Sequence, residues 1–322
     1  MTQVLPEVRP VRRRHEHHSA TGHPLTGPPS TRFEGVFPVC RRSRTVVVER
    51  DVCRAAPALL HRTRIRQRRG LVPTNRIALI TGANQGIGKQ VAKELVSDGV
   101  TVFVGSRDLA RGKAAAAEIG DGATALQIDV TDAASIASAA ERIREEAGRL
   151  DLLVNNAAIS TTRADVGDMA ELRALSEPSI APLDEVRAVW EVNVFGALAV
   201  YQAMLPLLRK SSDARIVNVT SALGSLTTAA DPAFAYRSTF EPVYSASKTA
   251  LNAVTLSMMM ELEATDIKVN LVSPGFANTS LVNFEGKESV EDAAREVVRV
   301  ARLGPTGPTG TFTLWEGVEV PW

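Results

Sequence analysis

The sequence predicts an α/β fold, a single doubly wound parallel sheet of about seven strands with helices on both faces, preceded by a disordered tail. Three observations predict it. Short apolar runs alternate with helix-length segments from Arg76 onward, which is typical of a parallel sheet. These runs are apolar throughout, as in strands buried on both faces. Upstream of them lies a basic, proline-rich segment with no sustained period. We therefore expect one domain over residues 75–322.

The predicted elements follow one another at regular spacing along this domain. Strands are expected at 76–81, 100–106, 123–129, 150–156, 214–220 and 267–273. Helices fit between them, for example at 87–97, 109–119 and 132–147. In open sheets of this kind ligands bind beyond the carboxyl ends of the strands, where the strand order reverses. The chemistry is therefore expected at the strand ends.

Residues 1–74 differ in composition from the rest of the 322-residue chain. They contain 15 arginines, no lysine, five acidic residues, eight of the 17 prolines, both cysteines and all five histidines. We expect a disordered basic tail. Two alternatives stay open: a targeting segment, and a true start of the chain near Val72. The charge allows non-specific but not specific nucleic-acid binding, since few aromatic residues are present. The irregular histidine and cysteine spacing predicts no metal site.

The remaining 248 residues carry about nine net negative charges and no cysteine. A disulfide framework is thereby excluded for this part, and a reducing, cytoplasmic setting is expected. No apolar run approaches the roughly 20 residues that a membrane span requires. We therefore expect no membrane association.

A glycine-rich stretch, TGANQGIG at residues 81–88, follows the first strand and opens the first helix. Gly82, Gly86 and Gly88 allow a tight turn and close approach to a pyrophosphate, whose charge the free N–H groups at the helix start can hold. The alternative is a purely structural turn, which the flanking strand and helix disfavour. The contacts expected here come from Thr81, Gly82, Asn84, Gln85, Gly86, Ile87 and Gly88.

The end of the second strand bears on the choice of dinucleotide. A carboxylate there binds a ribose 2′-hydroxyl, whereas an arginine suits a 2′-phosphate. Arg107 and Asp108 stand side by side. Asp108 directly precedes a predicted helix, where an aspartate commonly serves as N-cap. Arg107 is then the better cofactor contact, and NADP is preferred to NAD. After the third strand, Asp129 and Val130 are placed to receive the adenine ring, although Asp129 can also be read as a helix-opening residue.

Further motifs follow in order: NNAA (155–158), EVNVFG (191–196), NVTSALG (218–224), YSASK (244–248) and SPGFANTS (273–280). Together with TGANQGIG they make residues 75–322 resemble the classical short-chain dehydrogenase/reductase family, with Ala158 where the family has glycine. The layout resembles its carbonyl-reductase-like branch. The resemblance implies a Rossmann-type fold and an NAD(P)-dependent oxidoreductase that acts on the carbonyl or secondary alcohol of a small molecule.

The same resemblance implies residue roles. The catalytic residues are expected to be Asn193, Ser221, Tyr244 and Lys248. Besides the glycine turn, Arg107, Asp129 and Val130, the implied cofactor contacts are Asn156, Ala157, Tyr244, Lys248, Pro274, Gly275 and Thr279.

The tyrosine chemistry is also expected on physical grounds. A free tyrosine has a pKa of about 10, which is too high for a poised acid or base near neutral pH. An ammonium four residues later on the same helix face favours the phenolate and lowers the pKa. We therefore expect Lys248 to lower the pKa of Tyr244, which then acts as a general acid and base without histidine.

Two long connections, 159–183 and 226–242, flank this site in the sequence. Long loops near a site are usually functional lids or disordered insertions. Both are expected on the substrate side, with an apolar pocket contributed by Phe234, Tyr236, Phe276 and Leu281. The chain is expected to be a monomer or a homo-oligomer. Two alternative functions stay open: a catalytically inactive dinucleotide-binding regulator, and a lyase or epimerase on the same fold.

Overall fold

The computed structural model describes residues 76–165 and 167–322. The prediction of a disordered tail over residues 1–74 lies outside this part of the chain. One sheet runs through the described residues in the strand order β3-β2-β1-β4-β5-β6-β7-β8. All neighbouring strands are parallel except the last pair, β7 and β8. The strands are β1 Ile77–Ile80, β2 Thr101–Ser106, β3 Ala123–Gln127, β4 Leu152–Asn155, β5 Arg215–Val219, β6 Lys268–Val272, β7 Phe312–Leu314 and β8 Val318–Glu319. The predicted fold class is confirmed.

The helices connect these strands across both faces of the sheet. They are α1 Gly86–Ser97, α2 Leu109–Ile119, α3 Ala133–Glu146, α4 Met169–Leu175, α5 Leu183–Trp190, α6 Ala197–Leu208, α7 Leu226–Ala230, α8 Ser245–Leu262 and α9 Val290–Ala301. A π-helical segment, Glu191–Gly196, joins α5 to α6. The three helices predicted between the first four strands are observed within one residue of their expected ends.

The central strands β1 and β4 are buried on both faces. Successive side chains of a strand point to opposite sides, and helices cover both sides here. Ile77 and Leu79 of β1 pack in a cluster with residues of α3, α6 and α8, such as Met204. Ala78 and Ile80 pack in a second cluster with residues of α1, α2 and α9. This two-sided burial explains why the sequence of β1 is apolar throughout.

Within the described residues, one helical stretch, Leu183–Leu208, is long and apolar enough to cross a bilayer by length and composition. Its mean hydropathy is 1.3, and 56% of the window is buried inside the fold. Val200 and Met204 in this stretch are fully buried in the core. Packing against the sheet therefore accounts for its apolar composition.

The strand order reverses between β1 and β4, where β1 has β2 on one side and β4 on the other. The carboxyl ends of these strands are tied together: Thr81 N donates to Val154 O at 3.0 Å, and Ala83 N donates to Gly105 O at 2.8 Å. This is the position at which open α/β sheets bind their ligands.

Candidate active site

The glycine turn is folded onto the end of β4. Gly82 and Gly86 have φ values of 63° and 55°, a left-handed conformation that glycine adopts without a Cβ penalty. Asn156 Nδ2 donates to Thr81 O and Gly82 O at 2.9 and 3.1 Å. A Cβ on Gly88 would lie 2.5 Å from that same Nδ2 atom. Gly88 is thus needed for close packing of α1 against Asn156.

The first turn of α1 keeps its N–H groups free of side-chain caps. Gln85, at the N-cap, makes no side-chain cap hydrogen bond, and no acidic residue lies in the first turn. By contrast, Asp108 caps α2, Asp132 caps α3 and Ser289 caps α9. Uncapped N–H groups at a helix start, next to glycines, are suited to an anion such as a pyrophosphate.

The two charged residues at the carboxyl end of β2 have different surroundings. Asp108 Oδ1 accepts from Ala110 N and Arg111 N at 2.8 and 3.1 Å, which confirms it as the N-cap of α2. Arg107 is exposed, and its guanidinium makes no hydrogen bond or ion pair with any residue in the described ranges. It therefore remains available to a ligand at this strand end.

Asp129 forms a local turn and does not cap a helix. Its Oδ1 accepts from Thr131 N at 3.0 Å and from Thr131 Oγ1 at 2.7 Å. These hydrogen bonds, assisted by the charge of Arg107, hold the pKa of Asp129 below its usual value in spite of partial burial. The adjacent Val130 faces Gly196 of the π-helical segment, where an added Cβ would lie 2.8 Å from Val130 Cγ2.

The segment after β6 closes against the glycine turn. Gly275 adopts φ 82° after the half-buried Pro274. A Cβ on Gly86 would lie 3.5 Å from Thr279 Cγ2, and Gln85 Nε2 donates to Ser280 Oγ at 3.0 Å. The structure therefore brings Thr279 beside the glycine turn, as the sequence motifs imply.

Ser221 lies just beyond the carboxyl end of β5, at the start of a single 3₁₀ turn, Ala222–Gly224. This turn packs directly on α8, because a Cβ on Gly224 would lie 2.8 Å from the backbone of Lys248. Asn252 fixes the contact: its Nδ2 donates to Gly224 O at 3.1 Å and its Oδ1 accepts from Thr220 Oγ1 at 2.7 Å. The motifs did not indicate Asn252, since its role depends on how α8 meets the sheet.

Tyr244, Ser221 and Lys248 come together at this point. Tyr244 occupies the N-cap position of α8, and the Ser221 hydroxyl lies close enough to its phenol to lower the pKa of Tyr244. Lys248 Nζ lies 5.7 Å from the centroid of the Tyr244 ring and donates to Val219 O at 3.0 Å. Lys248 is only 2% exposed, so its ammonium lies inside the fold.

The expected direction of the tyrosine pKa shift is wrong for this structure. Burial raises the pKa of Tyr244 above its ordinary value; the hydrogen bond with Ser221 opposes this, and the Glu241 carboxylate adds to it. Burial also lowers the pKa of Lys248 to about 8. Desolvation thus disfavours the charged form of each residue.

Asn193 is fully engaged with its neighbours. It accepts from Ile159 N at 2.9 Å and donates to Ile159 O at 2.9 Å and to Ser247 Oγ at 3.0 Å. Ser247 Oγ in turn donates to Tyr244 O at 2.6 Å. Asn193 thus connects the loop after β4 to the backbone of Tyr244, and its π-helical setting is of a kind often found at functional sites.

The two long connections, 159–183 and 226–242, make different contacts. In the 159–183 connection, Ser160 Oγ donates to Leu281 O at 2.5 Å. The 226–242 connection forms α7 and a 3₁₀ turn and contains an open cavity of about 470 Å³ lined in part by Phe234, Arg237 and Phe240. Phe234 also meets Tyr236 edge to face at 5.8 Å. Among the described residues, no group of three or more histidine, cysteine, aspartate or glutamate side chains is placed to hold a metal ion.

An open parallel sheet with an uncapped glycine turn at its switch point, and a serine, tyrosine and lysine converging beyond β5, defines a class of protein: an α/β oxidoreductase with a nucleotide cleft. Comparison with known proteins identifies the family within this class. Residues 76–289 match the family model described as short chain dehydrogenase. The chain belongs to the short-chain dehydrogenase family of oxidoreductases.

Individual relatives agree with this assignment. A short-chain dehydrogenase of Penicillium roqueforti, anuI, is 36% identical over 240 residues, which cover 72% of this chain and 90% of the relative. The (+)-neomenthol dehydrogenase of Arabidopsis thaliana is 32% identical, over 74% of this chain and 96% of its own. The crystal structure of an NADPH-bound carbonyl reductase from chicken fatty liver superposes with a TM-score of 0.64 at 26% identity, over 77% of this chain and 99% of its own.

Proposed function

We propose that this chain is an NADP-dependent oxidoreductase that interconverts a carbonyl and a secondary alcohol in a small organic molecule, with Tyr244 as general acid and base. The observation that carries the proposal is the convergence of three side chains beyond β5. The Ser221 hydroxyl neighbours the Tyr244 phenol and lowers its pKa, and Lys248 Nζ lies 5.7 Å from the centroid of the phenol ring. Two neighbouring hydroxyl groups, those of Ser221 and Tyr244, can bind one carbonyl oxygen from two directions.

The residues of the cleft fit a nicotinamide dinucleotide. The free N–H groups of α1 and the positive-φ glycines suit its pyrophosphate. Arg107 supports NADP over NAD, because a guanidinium suits a 2′-phosphate and Asp108 is engaged as a helix cap. The carbonyl reductase relative was crystallised with NADPH. The residues that would hold the cofactor are Thr81, Gly82, Asn84, Gln85, Gly86, Ile87, Gly88, Arg107, Asp129, Val130, Asn156, Ala157, Tyr244, Lys248, Pro274, Gly275 and Thr279.

The chain's own residues carry the proton chemistry. When bound, the nicotinamide cofactor supplies or accepts the hydride. During reduction Tyr244 donates its phenolic proton to the carbonyl oxygen; during oxidation it takes the proton of the alcohol. Ser221 donates a hydrogen bond to the same oxygen and stabilises the charge that develops there. Lys248 stabilises the phenolate that remains after the proton has left, and Asn193 holds the backbone of Tyr244 through Ser247.

The substrate is proposed to be an apolar, ring-containing alcohol or ketone. The (+)-neomenthol dehydrogenase relative is named for such a compound. Phe234 and Phe240 line a cavity in the 226–242 connection, which directly precedes Tyr244. Aromatic surface is therefore available in the segment next to the proposed acid.

A substrate panel with NADPH and NADH tests the proposal. NADPH oxidation would be measured with aliphatic, cyclic and aromatic ketones for the wild type, Tyr244→Phe and the matched control Tyr201→Phe. Tyr201 lies on α6 and bonds to Glu261 at 2.8 Å, outside the site. We expect Tyr244→Phe to lose at least about 10²-fold in kcat, the lower end of a general acid's contribution, while Tyr201→Phe keeps its rate. Equal rates for wild type and Tyr244→Phe would remove Tyr244 from the chemistry.

A further inference from the structure

Glu241 has a position that no sequence motif indicates. Its carboxylate lies three residues before Tyr244 and accepts from the backbone around that residue. Val243 N donates at 2.5 Å, Tyr244 N at 2.9 and 3.1 Å to the two oxygens, and Ser245 N at 2.8 Å. Tyr244 itself makes no side-chain cap hydrogen bond, so Glu241 supplies the cap that α8 otherwise lacks.

The same short turn is held from other sides as well. Trp190 Nε1 donates to Pro242 O at 3.0 Å, and Ser245 Oγ donates to Thr239 O at 3.1 Å. On the far side, Ser247 Oγ donates to Tyr244 O at 2.6 Å. The backbone N–H groups at Tyr244 therefore depend on Glu241, whereas its carbonyl is held independently by Ser247.

A lysine and a glutamate lie close to Tyr244. From α8 comes Lys248, whose ammonium is also bonded to Val219 O. From the 226–242 connection comes Glu241. The turn after β5 contributes only the neutral Ser221 hydroxyl. Burial is the largest cause that raises the pKa of Tyr244, and the charge of Glu241 is the other.

We propose that Glu241 is a positioning residue for Tyr244: its carboxylate accepts from three successive backbone N–H groups and so fixes the turn that places the phenol at the site. Its negative charge also opposes ionisation of the phenol. The inference rests on the proposed function of Tyr244 as acid and base. Carbonyl reduction requires the phenol, whereas alcohol oxidation requires the phenolate. Glu241 therefore widens the pH range of reduction and moves oxidation to higher pH.

Three variants separate charge from position. Glu241→Gln removes the charge and keeps only one of the two acceptor oxygens, so it also loses part of the hydrogen bonding to the N–H groups. Glu241→Asp keeps the charge on a shorter side chain. Asp231→Asn removes a charge in the same connection, at a carboxylate that bonds only to Ala233 N among the described residues. In the pH profile of kcat/KM for alcohol oxidation, the apparent pKa should fall by about one unit in Glu241→Gln. It should stay near the wild-type value in the other two variants, with kcat reduced in both Glu241 variants and unchanged in Asp231→Asn.

A second readout needs no substrate. Difluorotyrosine, whose phenol is more acidic than that of tyrosine, would be incorporated at position 244 and titrated by fluorine NMR. The titration should move to lower pH in Glu241→Gln and not in Asp231→Asn. If Glu241→Gln does not fold, Glu241→Asn, which keeps an amide oxygen as acceptor, removes the same charge and must give the same shift.

The outcomes are distinct. A fluorine titration that does not move in the uncharged variants, or that moves equally in Asp231→Asn, overturns the inference. A shift confined to the uncharged Glu241 variants supports it, even if no carbonyl is reduced. In that last case the inference about Glu241 stands and the proposed function fails.

Discussion

Lys248 is a buried ammonium whose desolvation should be measurable as a pH-dependent loss of stability. It is 2% exposed, and burial lowers its pKa from 10.5 to about 8. One pKa unit corresponds to about 1.4 kcal/mol, so the charged form destabilises the fold by about 3 kcal/mol. A depressed folded-state pKa means that the unfolded chain binds the extra proton between pH 8 and pH 10.5. The part of the free energy of unfolding that depends on Lys248 is fully present above 10.5, the pKa in the unfolded chain. It is lost as the pH falls to about 8, the pKa in the folded chain.

Lys248→Met removes this titration and keeps the apolar stem. Urea unfolding of wild type and variant at pH 7 and at about pH 10.5 would give the difference in the free energy of unfolding at each pH. We expect Lys248→Met to be more stable relative to wild type at pH 7 than at the higher pH, by about 3 kcal/mol. The contributions of other titrating groups to the free energy of unfolding are the same in both proteins and cancel in this comparison.

The matched control is Lys93→Met, at an exposed position of α1 where the ammonium stays in water. Its difference from wild type should not change with pH. A Lys248→Met difference that stays constant within about 1 kcal/mol between the two pH values would refute the desolvation of this ammonium.

The remaining predictions concern the cofactor cleft, packing and the domain limits. Arg107→Asp should weaken NADPH binding at least about tenfold more than NADH binding in a fluorescence titration, because it places a carboxylate where a 2′-phosphate would bind; an unchanged ratio would remove Arg107 from the site. Gly88→Ala should lower the free energy of unfolding by about 2 kcal/mol, since its Cβ would lie 2.5 Å from Asn156 Nδ2; the control is Gly304→Ala, whose Cβ meets nothing within 4 Å. A chain that begins at Val72 should unfold within a few degrees of the full chain; failure to fold would place upstream residues in the domain.

The sequence predicts the sheet well because its signal is local. The strands β1 to β6 are short apolar runs with breakers at each end, and their two-sided burial follows from that pattern. The strands β7 and β8 have only three and two residues, too few for any period to appear. The N-cap role of Asp108 was predicted from its position alone, and the hydrogen bonds confirm it.

The site is predicted less completely, because much of it depends on contacts between distant segments. Ser221, Tyr244 and Lys248 are found together where the motifs imply. Glu241 and Asn252 carry no motif, since their partners are backbone groups that only the fold brings near. The direction of the Tyr244 pKa shift could not be predicted from spacing, because spacing places a charge nearby but does not report how deeply both groups are buried.

The loops around the cleft are joined by a few single hydrogen bonds. The 159–183 connection bonds to the segment after β6 through Ser160 and Leu281, Gly167 and Asn283, and Met169 and Glu285. That segment also bonds to the glycine turn through Gln85. Each such bond contributes about 1 kcal/mol against water. A few weak hydrogen bonds therefore hold the 159–183 connection against the segment after β6, and we expect the two to separate and rejoin without unfolding of the sheet.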